Sequence, residues 1–207
     1  MPEIKKEIRN YIDEKIIPLY KTFDSAHNTD HVKTVIDESI NLARNYDVDI
    51  NMVYIIAAFH DLGLINGREN HHIDSGKILE KDEMVLKYFT SEEIGIMKEA
   101  VEDHRASNKH EPRNIYGRIV AEADRIIDPY ITLLRTVQYG KDNYRELDLE
   151  NQYQRFYSHL KNKYGENGYL KLWIPYSSNA TKLGELRKMI NNEKLLKEKF
   201  LELYNSL

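Results

Sequence analysis

Eight consecutive apolar residues, Met52-Val53-Tyr54-Ile55-Ile56-Ala57-Ala58-Phe59, run directly into His60-Asp61 and then Leu62-Gly63. The run reads as a buried helix, because a helix that is apolar all round has no face for water. An imidazole and a carboxylate side by side at the foot of such a helix can coordinate a divalent metal. The helix dipole favours an imidazole at that end but disfavours a carboxylate, so Asp61 calls for a compensating cation. Two further polar groups border apolar helical patterns, where a lone polar side chain is costly to bury. His31 lies in Thr29-Asp30-His31-Val32, and Asp124 lies in Ala121-Glu122-Ala123-Asp124-Arg125. Asp124 follows the core pattern Ile119-Val120-Ala121, and Arg125 points about 100° away around a helix. A metal, or an Arg from elsewhere, must satisfy Asp124.

In chain order these residues form a His…His-Asp…Asp set. With the Ala-Asp-Arg around the last acid, the pattern resembles the HD superfamily of metal-dependent phosphohydrolases over about His27 to Arg125. It is most similar to the small stand-alone bacterial HD proteins. The resemblance implies an all-α helical bundle and a metal held by His31, His60, Asp61 and Asp124. Where such proteins hold two ions, further histidines between the dyad and the last Asp bind the second. His71-His72-Ile73-Asp74-Ser75-Gly76 and Val101-Glu102-Asp103-His104-Arg105 match those places in order. The Ser-Gly that follows favours His71 over His72, and binding of substrate phosphate is the alternative role for these histidines. His27 is either a helix-cap partner or a group beside the metal and substrate. His110 and His159 lack comparable context and read as ordinary polar residues.

Imidazoles and carboxylates suit Mn, Fe, Co, Ni, Mg or Zn, and the ligand types do not select among them. The resemblance implies that Asp61 bridges two ions where two bind. It also implies that a water acidified by the metal attacks phosphorus in line. His104 is a candidate proton donor to the leaving group. Arg68, in the loop just after the dyad, is the best-placed phosphate binder, with Arg105, Lys109 and Arg125 behind it, since Arg suits bidentate phosphate contacts.

The chain has 207 residues, 41% hydrophobic and 31% charged, enough for one sizeable domain. The expectation is a single domain over 1–207, with a core at about 24–130 and C-terminal helices over 131–207 packed on it. Its 34 acidic and 30 basic residues give a net charge of −4, which argues against nonspecific binding of a nucleic-acid polymer. Cysteine is absent, so any metal must be held by His and carboxylate. No apolar stretch approaches the roughly 20 residues that span a bilayer. The charged start Met1-Pro2-Glu3-Ile4-Lys5-Lys6-Glu7 lacks the apolar core of a signal peptide, so a cytoplasmic location is expected.

Helical periodicity runs nearly throughout. Ile4, Ile8, Tyr11, Ile12 and Ile16 follow helical steps until Pro18. Asn28-Thr29-Asp30 offers caps for the helix of His31, and Asp49-Ile50-Asn51 opens the next, which Gly63 closes. Leu64–Asn70 reads as a loop, and helices are expected over Ile73–Leu79, Ser91–His104 and Ile115–Ile127, with Pro129 interrupting. Two more are expected over about Leu147–Lys163 and Ala180–Tyr204. The last is amphipathic and suited to packing on the core or on a second copy in a homodimer.

The function expected is hydrolysis of a nucleotide or another small phosphoester. The Gly-Tyr-Pro word of cyclic-di-GMP phosphodiesterases in the superfamily is absent, and the acidic pair of the alarmone hydrolases does not follow the dyad. Several of the fifteen tyrosines lie in the C-terminal half and could stack on a base, although core packing is their commoner use. The alternatives are a non-catalytic metal- or nucleotide-binding sensor and a di-iron oxygenase.

Overall fold

A computed structural model describes residues 3–24, 27–108 and 110–207. Among the described residues there is no strand, and the chain is all α-helical. It divides into two compact units, Met1–Arg125 and Ile126–Leu207.

The first unit opens with α1 (Lys6–Tyr11), a π-type turn (Ile12–Ile16) and a 3-10 turn (Ile17–Thr22). Pro18 explains this irregular run. It has no amide to donate, and its ring collides with the carbonyl four residues back, so the α ladder cannot continue through it. The altered winding still buries Ile8, Ile12, Ile16 and Tyr20.

Five helices then carry the site. Helix α2 (Thr29–Ala43) begins where the Asn28 side chain accepts the Asp30 and His31 amides, both at 3.0 Å. Helix α3 (Ile50–Phe59) is capped by Asp49, which accepts the Asn51 amide at 2.7 Å, and all ten of its residues are buried. Burying Val53, Ile55, Ile56 and Phe59 contributes about 1.5–3 kcal/mol each, which makes this the central helix of the unit. It ends at Phe59 rather than at Gly63, which lies in a 3-10 turn, Leu62–Asn66. Helix α4 (His71–Lys81) starts two residues earlier than the apolar pattern predicts, because its first turn is polar. A short α5 (Glu83–Tyr88) follows, unannounced by any long pattern. Helix α6 (Ser91–Asp103) opens on a reciprocal capping box between Thr90 and Glu93. Helix α7 (Ile115–Asp124) starts at the Asn114 cap, and its tight contact with α6 passes through Gly117, where an added Cβ would lie 3.3 Å from the Ala100 Cα.

In the second unit Pro129 does not interrupt a helix but starts one, α8 (Pro129–Asn143), since a proline in the first turn sacrifices no hydrogen bond. Helix α9 (Leu149–Tyr164) follows. The single helix expected over Ala180–Tyr204 is two, α10 (Ser178–Asn191) and α11 (Glu193–Ser206). Asn192 causes the break, leaving helical geometry while its side chain accepts the Leu195 amide at 3.1 Å as the cap of α11. Tyr153, Phe156 and Phe200 pack ring against ring in this unit, while Tyr139 and Tyr144 flank the Arg155 guanidinium. Among the described residues, no single helix is long and apolar enough to cross a membrane.

Candidate metal centre

Six of the side chains singled out from the sequence converge in the first unit, each from a helix end. His31 comes from the first turn of α2, His60 and Asp61 from the residues just past α3, and His71 from the first position of α4. His104 caps α6, and Asp124 is the last residue of α7. Helix ends suit this task, because a side chain there can leave the packed stripe without opening a hole in it.

The donors form two groups, His31 with His60 and Asp124, and Asp61 with His71 and His104. Within each group the donor atoms lie within 4.8 Å of one another. Asp61 joins the groups. Its Oδ2 lies 3.2 Å from His60 Nε2 and 3.7 Å from His31 Nε2. Its Oδ1 lies 3.4 Å from His71 Nε2 and 3.3 Å from His104 Nε2. Asp124 Oδ1 closes the first group at 3.2 Å from His31 Nε2 and 3.8 Å from His60 Nε2.

Three of the imidazoles are aimed by the backbone. His60 Nδ1 donates to the Ala57 carbonyl at 2.7 Å, His71 Nδ1 to Arg68 at 2.8 Å and His104 Nδ1 to Val101 at 2.6 Å. A ring that donates through Nδ1 presents Nε2 as a lone pair, the form that ligates metal. Lone pairs facing carboxylate oxygens repel them, and His31 Nε2 also lies only 3.3 Å from His60 Nε2. A cation between them turns every one of these contacts into an attraction, so the donor set fits one or two divalent ions.

The titration of these groups reports the same demand for positive charge. Burial alone pushes Asp61 up, but His60, His104 and His31 together hold it well below the carboxylate range. Asp124 behaves likewise, lowered against its burial chiefly by His31, His60 and His104. Burial pulls His31 down, yet hydrogen bonds to Asp124 and Asp61 raise it to about 9. His104 is also raised, with burial opposed by Asp61 and Asp124. His71 is lowered by burial and by the neighbouring charge of His104. In the absence of metal, a proton on His31 takes part of the cation's place.

Of the two adjacent histidines, His71 reaches the centre. His72 does not share it, its Nδ1 is buried without a hydrogen-bond partner, and burial with the Arg105 charge lowers it to about 4. His104 has both nitrogens engaged, one on Val101 and one facing Asp61. Arg68 is placed differently from its expected part. Its guanidinium is 69% exposed and pairs with Asp24 at 3.0 Å, while its backbone carbonyl holds His71. Arg105 is less exposed, donates to the Glu69 carbonyl at 3.0 Å, and its charge reaches His71 and His72. Arg125 is buried and turns back to the Ala121 carbonyl of its own helix. Lys109 lies outside the described residues. His110 is exposed, with Nδ1 on the Glu111 carbonyl, and His159 is exposed.

Three further contacts support the centre. Asp24 accepts His27 Nδ1 at 2.7 Å, and the His27 ring sits edge-on to His31 at 5.8 Å. Ser75 Oγ accepts the Gly63 amide at 2.8 Å, tying the turn after Asp61 to the helix of His71. Buried Asp103, beside His104, is gripped by the Arg113 guanidinium at 2.9 Å and by its amide at 2.7 Å. The first is local, between residues three apart, whereas the other two join residues 12 and 10 apart.

Residues 29–127 match the HD domain family. A tRNA (cytidine(56)-2'-O)-methyltransferase from Thermoplasma volcanium is 30% identical over 158 aligned residues, covering 68% of this chain and 45% of that protein. The chain therefore spans less than half the length of the curated relative it matches. No solved structure matches the chain.

Proposed function

The chain carries an HD domain, and we propose that it is a metal-dependent phosphohydrolase acting on a nucleotide or another small phosphoester. The observation that carries this reading is the double role of Asp61, whose two oxygens each face a separate pair of imidazoles. His31, His60, Asp124 and Asp61 Oδ2 would hold one ion, and His71, His104 and Asp61 Oδ1 a second. Such ions supply Lewis acidity at the phosphoryl oxygens and acidify water towards neutral pH. The chain's own part is preorganisation. The Ala57, Arg68 and Val101 carbonyls fix three rings before substrate arrives. Arg105, with no carboxylate partner among the described residues, is the guanidinium we assign to the substrate phosphate in place of Arg68. Asp24 orients His27 at the edge of the cluster, where it can contact the leaving group.

The named activity of the methyltransferase belongs to a protein of which this chain covers less than half, and it supplies no substrate for this centre. The deciding experiment is a metal-supplemented screen of nucleoside mono-, di- and triphosphates, simple phosphomonoesters and tRNA, with elemental analysis of the same preparation. Metal-dependent phosphate release from a small ester, lost in Asp61→Ala with helix content intact, is the expected result. Full activity of Asp61→Ala with added Mn would refute the assignment. The second histidine pair supports one further reading, a di-iron oxygenase, which bound iron with oxygen consumption and no phosphate release would favour.

A further inference from the structure

Tyr20 is fully buried in the 3-10 turn Ile17–Thr22, and no donor assignment above uses it. Its hydroxyl makes two bonds at the end of α3. It donates to the Ala58 carbonyl at 2.9 Å and accepts the Asp61 amide at 3.3 Å. In a helix that continued, the Asp61 amide would reach back to Ala57, and the Ala58 carbonyl would take the amide of Leu62. Here the Ala57 carbonyl takes His60 Nδ1 instead. The helix therefore ends in an exchange of partners, in which an imidazole and a phenol take ladder positions that backbone groups would otherwise fill.

A phenol suits this gap because one oxygen both donates and accepts. It satisfies one orphan amide and one orphan carbonyl where water is excluded. The consequence falls on Asp61. An aspartate has one methylene between backbone and carboxylate, so the direction of its Cα–Cβ bond decides where its oxygens lie. Asp61 sits at φ −109°, ψ 5°, outside helical geometry, and Tyr20 holds both its amide and the carbonyl three residues before it.

Building on the metal-centre reading, we propose that Tyr20 is a positioning residue of the centre. Its hydroxyl clasps the end of α3 so that the two Asp61 oxygens face separate imidazole pairs.

The test uses Tyr20→Phe, which keeps the ring and removes the clasp, read by Co(II) titration and by the visible spectrum of the Co(II)-loaded protein. Tyr11→Phe is the control, since it removes a 2.6 Å hydrogen bond to Asp82 at the surface of the same unit. In Tyr20→Phe, Co(II) affinity falls about 10- to 100-fold, the spectrum shifts, and kcat for the phosphoester drops while KM holds. Tyr11→Phe loses thermal stability but keeps affinity and spectrum. Wild-type affinity and spectrum in Tyr20→Phe would overturn the clasp. Hydrogen exchange of the wild-type Asp61 amide tests it without metal and without a variant that must fold. Slow exchange is expected, and exchange as fast as an exposed loop amide would overturn the proposal. A wild-type protein that binds no Co(II) yet protects this amide would instead refute the metal reading and leave the clasp standing.

Discussion

Gly63 is where the centre is least able to absorb a change. A Cβ added there would lie 2.0 Å from the His71 carbonyl oxygen, 2.5 Å from the Ser75 amide nitrogen and 2.9 Å from the His71 carbonyl carbon. Ordinary contact begins near 3.4 Å, so the closest approach is short by about 1.4 Å. All three obstacles are backbone atoms of α4, so no side chain can swing aside. The turn after Asp61 and the first turn of α4 must separate, and the Gly63–Ser75 bond goes with them. Overpacking of this kind costs about 3 kcal/mol, the upper end of its usual range, because the strain falls on backbone. For a chain of this size that lowers Tm by about 9 °C. The separation also carries His71 Nε2 away from Asp61 Oδ1, now 3.4 Å apart, and weakens the second donor group more than the first. Gly63→Ala should therefore melt early and lose metal selectively, towards one ion per chain. Calorimetric melting with elemental analysis of the dialysed protein reads both effects. A Tm within 2 °C of wild type, with unchanged metal content, would refute the steric reasoning.

The remaining expectations concern charge. In the metal-free protein His31 stands at about 9, above its ordinary 6.5, so it is protonated at pH 7 and must release that proton to offer Nε2 to a cation. Metal uptake should then release about one proton and tighten roughly tenfold per pH unit between 7 and 9, read by titration calorimetry in buffers of different ionisation enthalpy; a flat profile counts against it. By the same linkage, the His31 contribution to metal-free stability is complete below 6.5 and disappears as pH rises through 9. Arg113→Ala strips the guanidinium from buried Asp103 and should cost about 2 kcal/mol in urea unfolding, discounted from a fully buried pair because the Arg113 side chain is 40% exposed. Arg105→Ala should raise KM about tenfold, whereas Arg68→Ala should leave it within about twofold; the reverse order would return the phosphate to Arg68.

The sequence by itself determined the helical class and named the six side chains that the fold brings together. Apolar residues at helical spacing set the helices, and the order of the acids and imidazoles beside them, with the family resemblance, singled out the candidate donors. His60-Asp61 was legible because a carboxylate at a buried helix end violates two local rules at once. Boundaries were less legible where one side chain overruled the pattern, as when Pro129 opens α8 and Asn192 divides α10 from α11. Tertiary structure alone decided which atoms face which. That Arg68 turns to Asp24 and that Tyr20 closes the end of α3 are contacts between segments far apart in sequence. Periodicity records which face of a helix is apolar. It carries no information about which distant hydroxyl or carbonyl will fill a gap in the ladder, because that depends on how helix ends meet once the cores have packed.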